Sequence, residues 1–182
     1  PDGRFVVFYS KAFNLHQGDT ESSWDIFIHD RQTGTTICAS ERNPFYPGDD
    51  QTSQGGSISS DGRFVAFWSS AYDLVPGGDT NGDYDVFVYD QLLDSTIRVS
   101  VDSTGMEGNN DSDEPSISSN GRLVVYTSEA DNLVPNDTNH VGDVFVHELP
   151  ALYSVTGTIT QVWDNTPIEG ARVSSGPYVS LT

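Results

Sequence analysis

The sequence predicts an all-β protein: three four-stranded antiparallel units in tandem, followed by the opening of a second β domain. Three observations carry this. Gly3, Gly62 and Gly121 lie 59 residues apart, each followed by arginine and an apolar run, and Leu15, Leu74 and Leu133 keep the same period. Within each period, short runs rich in Val, Ile, Phe and Tyr alternate with stretches rich in Gly, Asn and Asp. Helical spacing of apolar residues is absent throughout.

The first strand of a unit reads as a short segment, Ser57–Ser59 and Ser116–Ser118. The first copy lacks it, because the chain opens at Pro1-Asp2-Gly3-Arg4, inside a repeat and without an initiator methionine; the expectation is a piece of a longer protein. Tight turns follow at Asp61-Gly62 and Asn120-Gly121, pairs that favour the positive φ of a two-residue hairpin. Second strands are expected at Arg4–Tyr9, Arg63–Trp68 and Arg122–Tyr126, nearly continuous apolar runs of the kind buried on both faces. An acidic loop then leads into a third strand, Asp25–Asp30, Asp85–Asp90 and Asp143–Glu148. Fourth strands are expected at Thr35–Ser40 and Thr96–Val101, and long polar connections at Glu41–Gly56 and Asp102–Glu114 lead to the next unit.

Four antiparallel strands with an inner strand covered on both faces describe a propeller blade. The run Ser57-Ile58-Ser59-Ser60-Asp61-Gly62-Arg63-Phe64-Val65-Ala66-Phe67, with Asp85-Val86-Phe87-Val88-Tyr89-Asp90 after it, resembles the repeat of TolB-like β-propellers. The resemblance covers residues 1–150 in three successive copies, although the period of 59 is longer than the family's usual forty-odd residues. It implies a partial ring, since propellers have about four to eight blades. From Tyr153 the pattern changes. Tyr153-Ser154-Val155-Thr156-Gly157-Thr158-Ile159-Thr160 and Thr166-Pro167-Ile168-Glu169-Gly170-Ala171-Arg172-Val173 are similar to the opening of carboxypeptidase regulatory-like domains. That resemblance implies that residues 151–182 begin a small Ig-like β-sandwich of a type common in secreted and cell-surface bacterial proteins; Ala151–Val155, which fall where the third blade's fourth strand is expected, serve as either that strand or part of the new domain.

Charge narrows the partners. Twenty-seven acidic against eight basic residues give a net charge of −19, and Lys11 is the sole lysine. Such a surface repels nucleic-acid phosphates and anionic membranes, so no nucleic acid and no membrane insertion are expected, and cations are the natural complement. No run approaches the roughly 18 apolar residues of a membrane span. Cys38 is the only cysteine and stands where the next repeat has Arg98, so it reads as a packed side chain rather than a member of a recurring site.

The acidic loop is the candidate site, because its spacing recurs. Asp19 and Asp25, Asp79 and Asp85, and Asp137 and Asp143 are each six residues apart. Oxygen ligands at alternate positions converge on one ion when a loop curls. The second copy offers Asp79, Asn81, Asp83 and Asp85; the first Asp19, Glu21, Ser23 and Asp25; the third Asp137, Asn139 and Asp143, with Val141 giving only its carbonyl. An all-oxygen set favours a hard cation, Ca²⁺ before Mg²⁺, held structurally and most tightly by the second copy. The same residue types also close metal-free turns by bonding their own backbone, and both readings stand. An EF-hand does not fit: its twelfth position would be Asp30, Asp90 or Glu148, at the far end of a strand about 16 Å long.

No nucleophile elbow, zinc-protease helix or phosphate-binding loop occurs, and no catalytic residues are expected. The expected function is a non-catalytic extracellular or cell-surface module, secreted by a bacterium, that binds a protein, a surface polymer or other copies of itself. The alternatives are the accessory propeller of a secreted hydrolase and, further off, a propeller carbohydrate lyase.

Overall fold

The computed structural model describes residues 2–16, 23–40, 52–139 and 141–150. They form ten antiparallel strands in three sheets, with no helix among the described residues. The first sheet orders β1 (Phe5–Ser10), β2 (Asp25–Asp30) and β3 (Thr35–Cys38); the second orders β4 (Ser53–Ile58), β5 (Phe64–Ser69), β6 (Asp85–Asp90) and β7 (Ser95–Arg98). In the third, β9 (Leu123–Ser128) lies between β8 (Ser112–Ile117) and β10 (Asp143–Glu148). By contacts the chain divides into Pro1–Pro150 and Ala151–Thr182; the second unit, expected to open a β-sandwich, lies outside the described residues, as does any fourth strand of the third sheet.

The third strands fall at their expected bounds, and the second strands begin one residue late. The first strands differ more. They begin at Ser53 and Ser112, inside the expected connections, because register shifts between Gln54 and Ser57 and between Asp113 and Ser116 let polar segments pair. The bulged residues Gly55, Gly56 and Glu114 all have positive φ. The fourth strands are shorter than expected, ending at Cys38 and Arg98, because the serines two residues on turn their hydroxyls to the third strand instead.

The core sits between sheets. Ile26, Ile28, Phe5 and Val7 of the first pack against Val65, Phe67, Phe87 and Tyr89 of the second. The other face of the second, with Phe64, Ala66, Val86 and Val88, packs against Val124, Tyr126 and Phe145 of the third. Hence β6 is buried along its whole length. The expectation of second strands buried on both faces holds for β5 and fails for the outer two: β1 is half-buried, and β9 alternates between buried and exposed. Both faces of β5 are covered because a sheet packs on each side of the middle sheet; in the first sheet the inner strand β2 is buried as well, with Ile26, Phe27 and Ile28 all at most 2% exposed.

Two recurring contacts lock the repeat. At each Gly-Arg turn the arginine reaches the last acid of the third strand: Arg4 to Asp30 and Arg63 to Asp90, both bidentate, and Arg122 to Glu148. The acids that mimic an EF-hand's twelfth position are therefore arginine partners, at the far end of the sheet from the acidic loops. The Arg4 hydrogen bonds hold Asp30 well below the usual carboxylate range. The second contact joins neighbours. Gly62 (φ +78°) lies on the Phe5 ring of the preceding sheet, and Gly121 (φ +69°) on that of Phe64, so closely that a Cβ on either would overlap the ring.

Candidate metal centre

The acidic loop of the second blade is shaped by its own backbone. Asp79 Oδ1 accepts from the amides of Asn81 (2.9 Å) and Gly82 (3.0 Å), and Asn81 Oδ1 from that of Asp83 (2.7 Å). The Asn81 amide group donates to the Gly108 carbonyl (2.6 Å), which ties the loop to the segment after β7. These are the bonds of the metal-free turn, and they point Asn81 at backbone.

The two end aspartates nevertheless meet. One oxygen each of Asp79, Asp85 and Glu107 lies within 4.8 Å of the others, a group that can hold a metal ion. Glu107 comes from outside the loop. It is brought in by the bridge pairing Val101 with Glu107, and its carboxylate accepts from the Thr80 amide (3.1 Å) and hydroxyl. Asp83 is not a member of the cluster.

Arg98 sits in the same place. Its Nη1 pairs with Glu107, its Nη2 donates to the Gly78 carbonyl (2.9 Å), and its Nε lies 3.2 Å from Asp85 Oδ2. That last approach is an ion pair without hydrogen-bond alignment, so both atoms are buried with no hydrogen bond. Asp85 is 1% exposed. Its other oxygen accepts from Ser100 Oγ (2.6 Å), which itself accepts from the Val86 amide (3.1 Å). The aspartate thus reaches the strand-entrance amide through a serine rather than capping it directly.

Burial dominates the chemistry of Asp85. Desolvation pushes its carboxyl up to about 7 against the pull of Ser100 and Arg98, with Glu107 adding to the rise. Burial also raises Glu107, but Thr80, Arg98 and the shared proton with Asp85 outweigh it and hold Glu107 below its ordinary value. The sign follows: a carboxyl raised on folding contributes stability that is complete below its unfolded value near 4 and is lost as pH rises through about 7. Urea denaturation in chelator is expected to show wild-type stability falling relative to Asp85→Asn between about pH 4 and 7, then levelling. A difference independent of pH would remove the raised carboxyl from this account.

The other copies are built differently. In the first, Asp19 and Glu21 lie outside the described residues; Asp25 accepts from Ser23 Oγ (2.9 Å) on one oxygen and Ser40 Oγ (3.0 Å) on the other. Ser40 also accepts from the Ile26 amide (3.0 Å), repeating the Asp85–Ser100–Val86 relay, while buried Cys38 stands where Arg98 would. In the third, Asn139 Nδ2 donates to Asp143 Oδ2 (3.2 Å) and the Asn139 amide to Asp137 Oδ1 (3.3 Å). Among the described residues, only the second copy gathers three acids. Sequence reasoning missed Glu107, Ser40 and Ser100. The serines carried a signal, since each follows its aspartate by 15 residues; Glu107 carried none.

Beside this end of the molecule lies a polar groove of about 430 Å³, lined by Asn109, Asn110, Glu129, Asp131, Val141 and Gly142. No helix among the described residues is long and apolar enough to cross a membrane.

No protein-family model matches the chain, and no curated protein matches it. Among solved structures it is similar to TolB from Acinetobacter baumannii, with 16% identity and a TM-score of 0.45 over 81% of this chain. It is also similar to the tricorn protease, with 18% identity and a TM-score of 0.42 over 79%. The chain spans 28% of the length of the first and 11% of the second.

Proposed function

We propose that the chain is a non-catalytic binding or assembly module acting outside the cell, and that a divalent cation, calcium before magnesium, fastens its second acidic loop to the segment after β7. The observation that carries the cation is the meeting of Asp79, Asp85 and Glu107, where Asp85 also keeps a buried oxygen that makes no hydrogen bond. Carboxylate oxygens with a neighbouring loop carbonyl are the ligands of a hard ion, and a net charge of −19 raises its local concentration. The ion competes with two residents, the Asp85 proton and the Arg98 guanidinium, so uptake strengthens as pH rises toward 7 and releases a proton below it. Such a cation would stiffen the loop rim beside the polar groove, where a protein or surface polymer would be gripped.

Calorimetric titration with calcium, paired with melting in calcium and in chelator, tests this reading. One site on the second blade is expected. At a hundredfold excess over its dissociation constant, calcium adds about 2.7 kcal/mol of stability. Asp79→Ala is expected to abolish both the heat and the calcium-dependent rise in melting temperature. No heat in the wild type, or a heat that survives Asp79→Ala, would leave the loops as metal-free turns.

A further inference from the structure

We infer that the polar groove beside the second acidic loop is a binding site for a cationic side chain of a partner protein, arginine before lysine. The groove is a built feature, lined by two segments that hold each other in place. One is the strap of residues 107–110, on the way from β7 to β8. Gly108 donates to the Ser100 carbonyl (3.0 Å), accepts from Asn81 Nδ2 (2.6 Å), and packs so closely on Ala130 that an added Cβ would lie 3.2 Å from that methyl. The other is the loop after β9. Asn109 Nδ2 donates to Asp131 Oδ1 (2.8 Å), and Asn109 Oδ1 accepts from the Asp131 amide (3.1 Å). Asn132 Oδ1 accepts from the Asn109 amide (3.0 Å), and Asn132 Nδ2 donates to the Glu107 carbonyl (2.8 Å). The space of about 430 Å³ falls in the range of about 300–1,000 Å³ typical of ligand sites.

The lining chooses the ligand. It offers the carboxylates of Glu129 and Asp131, two carboxamides and one apolar side chain, and no basic residue. The charge of Glu129 reaches beyond the groove: Asp113 is held above the ordinary carboxylate range by burial first, then by Glu114, Asp111 and Glu129. An anion is repelled by such a lining, and a cation gains charge-assisted hydrogen bonds about twice as strong as a neutral hydroxyl's. The two acids belong to no three-acid group among the described residues, so they suit an extended cation better than a point ion. Val141, 59% exposed, gives a methylene stem an apolar surface to lie along while the charged head meets the carboxylates. A planar guanidinium serves two carboxylates through one fork, as Arg4 and Arg63 serve both oxygens of their own acids in this chain.

The inference rests on the binding-module reading and names what the module grips; it needs no metal ion, so the two can fail separately. The test is calorimetric titration of the whole chain in chelator at about 0.15 M salt, where screening limits attraction to about 8 Å. The probes are a capped tetra-arginine peptide, its uncharged tetra-citrulline isostere, and spermine. One site for the arginine peptide is expected, none for the citrulline peptide, and binding at least about tenfold weaker for spermine, which lacks the guanidinium fork. Glu129→Gln and Asp131→Asn are each expected to weaken the arginine peptide about tenfold or more. Asp94→Asn removes the same charge from the turn after β6, at the far end of the sheet, and is expected to change affinity less than about twofold. All three residues are exposed and their amide isosteres keep an acceptor oxygen, so circular dichroism and melting temperature should match the wild type. No heat with the arginine peptide would overturn the inference. Equal losses in Asp94→Asn and Asp131→Asn would do so too, by showing general attraction to an acidic surface, as would citrulline or spermine binding as tightly as arginine. Cellohexaose binding that Asp131→Asn abolishes, with no response to the arginine peptide, would overturn the cationic partner and leave the binding module standing.

Discussion

Replacing Arg98 by methionine is expected to destabilise the protein in chelator at pH 8 by about 3 kcal/mol and to make its stability depend on calcium. The guanidinium is 9% exposed and is the one cation seen among Asp85, Glu107 and the Gly78 carbonyl in the described residues. Removing one member of a buried ion pair leaves the other charged and unpaired, and that penalty rather than the strength of the pair sets the cost. The cost shrinks toward pH 5.5, where Asp85 keeps its proton and has no charge to strand. Calcium affinity should move the other way, rising at least about tenfold, since the variant removes a positive charge from the place the ion would take. Melting curves at pH 5.5 and 8, with calcium and with chelator, give all four quantities. Unchanged stability in chelator together with weaker calcium binding would mean that Arg98 supports the site rather than competing for it.

Gly62→Ala is the second large effect, about 2–4 kcal/mol in urea denaturation. Two terms add: a left-handed backbone at φ +78° costs a residue with a Cβ roughly 1–2 kcal/mol, and that Cβ overlaps the Phe5 ring, which costs about 1–3 kcal/mol more. Gly34→Ala separates them. Gly34 has φ +75° but nothing within 4 Å of a Cβ, so it should lose only the backbone term, about 1–2 kcal/mol. Equal losses at the two positions would show that the Phe5 ring yields freely and that the glycine is a turn residue only.

The frame was legible because it is local. Asp61-Gly62 and Asn120-Gly121 announce their hairpins, and the third strands are bounded by acids that the chain repeats. The first strands were legible only in part, since Ser-Gln-Gly-Gly and Ser-Asp-Glu-Pro become strand through pairing and a register shift rather than through any apolar alternation. Burial of the second strands depended on how many neighbours each sheet has, which a run such as Phe5-Val6-Val7-Phe8 does not encode. At the candidate site, the aspartates Asp79 and Asp85 were visible by their spacing. Glu107 was not, because it arrives through a bridge between Val101 and Glu107 in a connection of unremarkable polarity. Arg98 was noticed only as the residue opposite Cys38. Its role as a counter-ion appears once the fold gathers the acids and the guanidinium around the buried Asp85.

The glycine sockets also bear on how such a chain can change length. The second blade presents Gly62 to the Phe5 ring before it and its own Phe64 ring to Gly121 after it, while the arginine that closes each sheet finds its acid within the same blade. An unequal crossover that adds or deletes one whole period therefore leaves every socket filled and every arginine matched, wherever in the period the exchange falls. A crossover by any other length strands a ring against a turn that bears a Cβ. Recombination in whole periods is thus mechanically silent inside the row, and its consequences fall on the two end faces.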